Sequence, residues 1–392
     1  MIRARVFRSG LAFGLATVVA CPPAQALVAL NDGRDRIFVT GTFSATVDSN
    51  IFANSDGTSD IVYSSGVSAE YSRRAGWIGV NGTVSVAASS FGRNKEQDFA
   101  NPNYSLEFTK QSGRTTGSLA FSGAKESRAD AAVNLRSTSW NYNTGLNVKY
   151  PAGNKTFTGQ LGYSSRSYLD DTIFTDLATY TAGVDAILIL PRERELVGGY
   201  RFRLSETSRD TSTSDHSATL GVNGKLIRGI VGGLRAGVQT RIPHGAIAGM
   251  GKFSSWTMSG NAAYAVSKRL NFAAQLAKDF STTATNASVD VTSADLTGQF
   301  AMNSKVSWSL SGGWGNTRFL GEAGRIILQP GPPLLLGPQR QDTYATWTAA
   351  VSWTMHAHLR SGLSYTWFEN WSSSSFADFV RSSWTMNLSS RW

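Results

Sequence analysis

Val380-Arg381-Ser382-Ser383-Trp384-Thr385-Met386-Asn387-Leu388-Ser389-Ser390-Arg391-Trp392 is the stretch that decides the fold. Val380, Trp384, Met386, Leu388 and Trp392 fall on one set of alternate positions. Arg381, Ser383, Thr385, Asn387 and Arg391 fall on the other. A period of two is that of an extended strand, whose successive side chains point to opposite faces. This strand has one apolar face and one polar face. The same alternation recurs upstream. Val306, Trp308, Leu310 and Trp314 oppose Ser307, Ser309 and Ser311; Tyr142, Leu146, Val148 and Tyr150 oppose Asn143, Asn147 and Lys149; Trp347, Val351, Trp353 and Met355 oppose Tyr344, Thr346, Thr348, Ser352 and Thr354.

Working back from the end, the pattern predicts about 18 strands. They are expected near 36–48, 60–73, 77–90, 102–111, 115–126, 137–150, 155–167, 177–190, 196–206, 214–227, 230–242, 252–267, 269–280, 288–301, 304–318, 342–356, 358–371 and 377–392. Each is long enough to cross a bilayer at a tilt of about 45°. Mean hydropathy is only −0.17, and no apolar run beyond residue 27 is long enough for a membrane helix. Both facts suit a barrel, because lipid-facing and lumen-facing residues alternate and their average hides both. Abundant glycine (39 residues), 11 tryptophans and only 10 prolines point the same way. The expected fold is all-β: a single transmembrane antiparallel up-and-down β-barrel. A soluble sandwich of this length would split into two domains, and no linker or change of composition divides the chain.

Tight connections at 74–76, 112–114, 151–154, 191–195, 268–269, 303–304 and around Ala357 alternate with longer polar ones at 91–101, 127–136, 207–213, 243–251 and 319–341. Outer-membrane barrels have short periplasmic turns and long external loops. Both termini then lie in the periplasm, and the strand number must be even.

The N-terminus reads as an export signal. Arg3, Arg5 and Arg8 precede a short apolar run, Leu11 to Ala20, and Ala24-Gln25-Ala26 is an A-x-A cleavage site. The expected division is a signal peptide at 1–26 and an outer-membrane barrel at 27–392. A rival reading makes Val18-Val19-Ala20-Cys21 a lipobox. Cys21 is the only cysteine, so cleavage after Ala26 leaves none for disulfides or metal thiolates. Losing the three arginines lowers the net charge from +10 to +7. The remaining basic residues are scattered rather than run together, which argues against nucleic acid as a partner.

Little reads as catalytic chemistry. His216, His244, His356 and His358 are the only histidines, and His356 and His358 flank a turn. No zinc-protease helix, paired-cysteine site or phosphate loop occurs. No Ser/His/acid set stands out, so no enzyme activity, cofactor or metal is expected. Charge on the polar faces is more informative. Arg201 and Arg203, Lys225, and Arg235 with Arg241 lie on three successive strands. They put five cations into one sector of the lumen wall. Such a sector either attracts anionic solutes or pairs with lumen acids such as Asp185, Glu70 or Glu107. Only about ten residues precede the first strand, so a constriction is expected from the loops. The first candidate is 319–341, with Pro330, Pro332, Pro333, Pro338 and Leu334-Leu335-Leu336.

Two resemblances add to this reading. Trp384, Met386, Leu388 and Trp392 resemble the C-terminal assembly signal of bacterial outer-membrane barrels, with Ser390 standing where such signals carry a large apolar residue. Asp48, Asn50 and Phe52 in Ala45-Thr46-Val47-Asp48-Ser49-Asn50-Ile51-Phe52 resemble the D-x-N-I-F/Y motif of an outer-membrane beta-barrel porin family associated with exopolysaccharide biosynthesis and export loci. Tyr200-Arg201, Asp215-His216, Leu220-Gly221 and Gly237 follow that family's central order. The resemblance implies passive export of a secreted polysaccharide, with outer-membrane lipid, the barrel assembly machinery, the polysaccharide chain and export proteins as partners. Two other readings stand beside it: a general diffusion porin for small, including anionic, solutes, and a non-conducting structural or surface-binding barrel.

Overall fold

The computed structural model describes residues 27–31, 34–73, 76–130, 135–169, 174–245, 251–321 and 339–392. The expected signal peptide, Cys21 and most of the 319–341 loop lie outside these residues. A short strand, β1 (Val28–Leu30), precedes the rest. Then come β2 (Asp35–Asp48), β3 (Asp60–Arg73), β4 (Gly79–Phe91), β5 (Phe99–Lys110), β6 (Thr116–Asp130), β7 (Leu135–Ala152), β8 (Lys155–Tyr168), β9 (Leu177–Leu190) and β10 (Arg194–Thr207). The second half holds β11 (Thr211–Ile227), β12 (Ile230–Gly245), β13 (Phe253–Ala265), β14 (Leu270–Thr282), β15 (Ser288–Ala301), β16 (Val306–Phe319), β17 (Gln341–His356), β18 (Leu359–Ser372) and β19 (Phe379–Arg391).

Each strand from β2 to β19 pairs antiparallel with its sequence neighbours, and β19 pairs with β2. The sheet is therefore a closed barrel of eighteen strands, with no free edge around the ring. Among the described residues no helix is long and apolar enough to cross a membrane; the crossing is done by strands. Large apolar side chains crowd the outside. Val47, Leu161, Val184, Leu220, Val238, Leu310, Trp384 and Met386 are all exposed there. In water such a girdle would be unstable, and in lipid each of these side chains gains about 1.5–3 kcal/mol by leaving water. The protein is an outer-membrane β-barrel, with lipid around this girdle.

The end with the short turns is the narrow end, and the end with the longer connections the wide end; turn chemistry fixes the narrow end. The two-residue turn Gly153-Asn154 joins β7 to β8 with Gly153 at φ 65°, in the left-handed region that glycine enters at least cost. At the wide end the strands run further than the alternation predicts. The expected loop at 127–136 is largely hairpin, with β6 reaching Asp130 and β7 starting at Leu135. The expected loop at 207–213 shrinks to Ser208-Arg209-Asp210. Above the bilayer both faces of a hairpin meet water. The apolar–polar alternation then ends while the backbone ladder continues.

The seam between first and last strands is tied at both ends. At the wide end Arg381 donates to Asp48 at 2.5 Å. The Ser49 amide donates to Ser382 O at 2.9 Å, and Asn50 Nδ2 to Val380 O at 3.3 Å. At the narrow end Val39 and Trp392 exchange backbone hydrogen bonds of 2.8 and 2.9 Å. The Trp392 indole stacks on His358 at 4.3 Å, and Arg391 bonds Glu70 at 2.9 Å. β1 pairs with Asp35–Ile37 of β2, the part that extends beyond the end of β19.

Candidate pore lumen

Strand parity puts one set of side chains inside. Near the narrow end the inner face carries Asn81, Asn261, Asn271 and Gln275, all exposed. Toward the wide end the inner face closes. Asp215 is 4% exposed, Gln239 2% and Arg241 1%.

The cause is two hairpins that leave the wall and fold across the mouth. The β5–β6 ladder stops at Asn103↔Ala124 although both strands continue. The outer end of β6 then brings Ala129 against Ala53, Phe368 and Phe379, which straddle the seam. Arg136 lies over the Phe91 and Phe99 rings at 4.9 and 5.0 Å. The β13–β14 ladder likewise stops at Met258↔Lys278. Beyond it the β14–β15 hairpin swings in, burying Phe280 and Ala284; Ala284 meets Tyr168 and Phe174. The Thr175 amide donates to Ala284 O at 2.8 Å, joining the β8–β9 and β14–β15 connections over the mouth. These hairpins, rather than a loop, form the constriction among the described residues. Residues 322–338 of the predicted loop lie outside them.

The basic residues singled out in sequence occupy this region in paired form. Arg203 donates to Asp215 at 2.5 Å and to Asp279 at 3.1 Å. Arg201 reaches the same Asp279 at 2.8 Å, and Arg241 bonds Asp215 at 2.7 Å. Arg235 bonds Asp185 at 2.9 Å. Lys225 stands apart at the narrow rim, exposed and paired with Glu193 at 2.7 Å. Four arginines thus face three carboxylates, leaving one cation in excess. Sequence reasoning missed a neighbour on the next strand over: Arg166 on β8 donates to the neutral Asn141 Oδ1 at 2.7 Å. Its signal was its lumen parity on β8.

Glycine makes the flat pairing possible. Asp185 lies beside Gly199 in register, and Arg235 beside Gly221. A Cβ at Gly199 would stand 2.1 Å from Asp185 Oδ1, and one at Gly221 2.6 Å from Arg235 Cγ. The two bare strands let one ion pair span from β9 to β12 along the wall.

The motif residues act at the seam and the wall. The Asp48 carboxylate accepts from Arg381 and from the Asn50 amide at 2.9 Å. Asn50 holds Asn54 O at 2.6 Å and turns the chain into the first loop; Phe52 is half-buried there. In Tyr200-Arg201 and Asp215-His216, the tyrosine and histidine meet on the outer face at 2.7 Å, while the arginine and aspartate join the lumen network. Trp384, Met386 and Leu388 lie on the outer face of β19, and Trp392, also exposed, follows just past its end. His356 and His358 sit 6.5 Å apart between ring centres, and His358 Nδ1 is engaged by Arg391 O at 2.7 Å. No group of metal-ligating side chains forms among the described residues.

No protein-family model matches the chain, and no curated protein matches it in sequence. Solved structures similar to it include OpdK from Pseudomonas aeruginosa, determined with vanillate, at 10% identity and TM-score 0.48, covering 91% of this chain and 99% of that one. OccK2 (OpdF) from Pseudomonas aeruginosa, in complex with glucuronate, is 12% identical at TM-score 0.49, covering 91% and 97%. The siderophore receptor PirA from Pseudomonas aeruginosa is 9% identical at TM-score 0.47, covering 90% and 80%.

Proposed function

We propose that the protein is a diffusion pore for small polar solutes, with a preference for anions. The arginine sector carries this reading. Arg201, Arg203, Arg235 and Arg241 outnumber Asp185, Asp215 and Asp279 along one strip of the constriction, and Arg166 extends the strip with a cation held only by an amide among the described residues. Guanidiniums bind carboxylates and phosphates through paired donors. A strip of them lowers the barrier for an anion crossing a narrow, partly dehydrated passage. Below it the exposed asparagines and glutamine offer a wet, uncharged bore, and a barrel of this strand number leaves an aqueous channel where no plug fills it.

Two folded hairpins across the mouth suit small solutes better than a polymer. Export of a polysaccharide, which the resemblance implies, would require both hairpins to clear the bore. Solute entry into proteoliposomes separates the readings. A hexuronate should enter faster than a neutral hexose, and a linear dextran should be excluded. Dextran entry at the rate of hexose would favour a polymer path. Failure of every solute to enter a correctly folded barrel would favour a non-conducting one.

A further inference from the structure

We infer that the β14–β15 hairpin is a gate that alternates between the tucked position seen here and a position zipped into the wall beside β13. The inference rests on the pore reading above for its effect on conduction, but not for the motion itself.

The observations start with the interrupted ladder. β13 continues as strand through 253–257, and β14 through 279–282, yet no rung joins these parts. Continuing the register Met258↔Lys278 outward would place Trp256 opposite Phe280 and Ser255 opposite Ser281. In that position Trp256 and Phe280 would both face lipid, as cross-strand aromatic pairs on an outer face do. In the tucked position they are separated: Trp256 is 54% exposed outside and Phe280 is 2% exposed within. The residue pattern of β14 therefore still fits a wall strand.

A second observation is how the displaced backbone is satisfied. Buried backbone groups need partners, and here lumen side chains replace the missing strand. Arg203 Nη2 donates to Phe280 O at 2.6 Å, and Arg241 Nη1 to Ser281 O at 2.6 Å. The Phe280 amide donates to Gln239 Oε1 at 3.4 Å. Asp215 orients both arginines, and Asp279 orients Arg203. Of the two latch guanidiniums, Arg203 is the one a passing anion would engage, since Arg241 is 1% exposed. An anion competing for Arg203 weakens the hold on β14, and the freed edge has a ready partner in β13.

A third observation lies at the slot left in the wall. Lys278 bonds Asp290 at 2.6 Å, and Ser255 Oγ donates to the same Asp290 oxygen at 3.0 Å. The other carboxylate oxygen of Asp290 has no partner among the described residues, nor has Gln239 Nε2. Two incompletely satisfied polar groups flank Ser255 on β13, so the tucked arrangement holds unspent hydrogen-bonding capacity. The hinge sits at the last rung, where Thr257 Oγ1 donates to Lys278 O at 2.8 Å.

Cysteine pairs test this directly, since the only native cysteine, Cys21, lies ahead of the expected mature start. Register partners in an antiparallel ladder lie about 4.5–5.5 Å apart, within disulfide reach. Ser255→Cys with Ser281→Cys should cross-link under mild oxidant in native membranes, and more so with millimolar glutamate or phosphate present. Thr211→Cys with Asn286→Cys, whose side chains touch at 2.9 Å, should lock the tucked state and lower conductance until reduced. Ser259→Cys with Ala277→Cys, on the intact ladder, reports that the barrel is folded and the oxidant effective. If the control pair forms and the Ser255–Ser281 pair never does, the hairpin is fixed and the gate is wrong. If both form but neither lock alters conductance, the hairpin moves without gating and the gate is equally wrong. Absence of any conductance alongside normal cross-linking faults the pore reading alone.

Discussion

Asp48 on β2 and Arg381 on β19, 333 residues apart in sequence, meet across the barrel seam at 2.5 Å. The Asp48 side chain is 4% exposed and that of Arg381 37%. The last rung of the ladder, Ser383↔Asp48, lies just below them. The contact therefore locks the closing strand pair at its outer end, where the first loop departs. Removing Arg381 leaves a buried carboxylate supported, among the described residues, by the Asn50 amide and the charge of Arg136. Arg381→Ala should lower barrel stability by about 1–3 kcal/mol, less than orphaning a fully buried charge would cost, because Arg381 is partly exposed and Asp48 keeps other partners. Asp48→Asn with Arg381→Gln should cost less than the sum of the single changes. Denaturant unfolding in micelles, followed by heat-modifiable gel mobility, measures both.

Gly221 should be intolerant for a reason visible only in the lumen. A Cβ there stands 2.3 Å from Leu234 O and 2.6 Å from Arg235 Cγ, and the first of these is backbone that cannot swing away. Gly221→Val should push Arg235 off the wall, break its bond to Asp185 and cost about 1–3 kcal/mol in overpacking. Its conductance should fall as the displaced side chain enters the bore. Gly145, with open space around its Cβ position, is the control: Gly145→Ala should leave conductance unchanged.

Deleting Trp392 should impair assembly. Its indole stacks on His358, its backbone pairs with Val39, and its exposed position just past β19 continues the Trp384, Met386 and Leu388 row. Trp392→Phe should restore most of the folded barrel. Surface-exposed, heat-modifiable protein in cells is the readout; wild-type levels in the deletion would contradict this role.

One loop carries a pH prediction. The Phe91 amide donates to Asp98 at 2.6 Å and holds its carboxyl below the usual carboxylate range, with Ser90 and Lys95 assisting. A lowered folded value means the loop is favoured at all pH above the unfolded carboxylate value near 4. That contribution is lost as pH falls through the lowered value. Limited proteolysis at 92–98 should be flat from neutral pH down to about 5 and rise only below it. Asp98→Asn should raise it near neutral pH and leave it no different from wild type once the wild-type carboxyl is protonated.

How much of this was legible in the chain follows from the two solvents a barrel wall meets. Lipid outside and water inside impose opposite demands on alternate side chains. The strands expected at 60–73, 177–190 and 288–301 accordingly coincide with β3, β9 and β15. Beyond the bilayer that contrast vanishes, and the stretch Thr211-Ser212-Thr213 carries no trace of the strand it begins. The arginine sector shows the same boundary. Parity alone assigns Arg201, Arg203, Arg235 and Arg241 to the lumen, and Asp185 is a nearby acid. Asp279 is not foreseeable as their partner, because it reaches β10 only when the hairpin leaves the wall. Phe280 keeps a lipid-facing position in the sequence pattern while its side chain is buried inside. No periodicity records such a bend. The bonds that hold it come from strands distant in sequence, Arg203 on β10 and Arg241 on β12.

The most direct test of the central claim is the reversal potential of single channels in a planar bilayer under a potassium chloride gradient. The wild-type barrel should show discrete conductance steps and a reversal potential displaced toward that of chloride. Arg201→Gln with Arg235→Gln, both partly exposed to the bore, should move it toward the potassium side. Arg241→Gln, whose side chain is 1% exposed, should instead alter step stability. Cation preference in the wild type, or a folded barrel that gives no steps at all, would contradict the account.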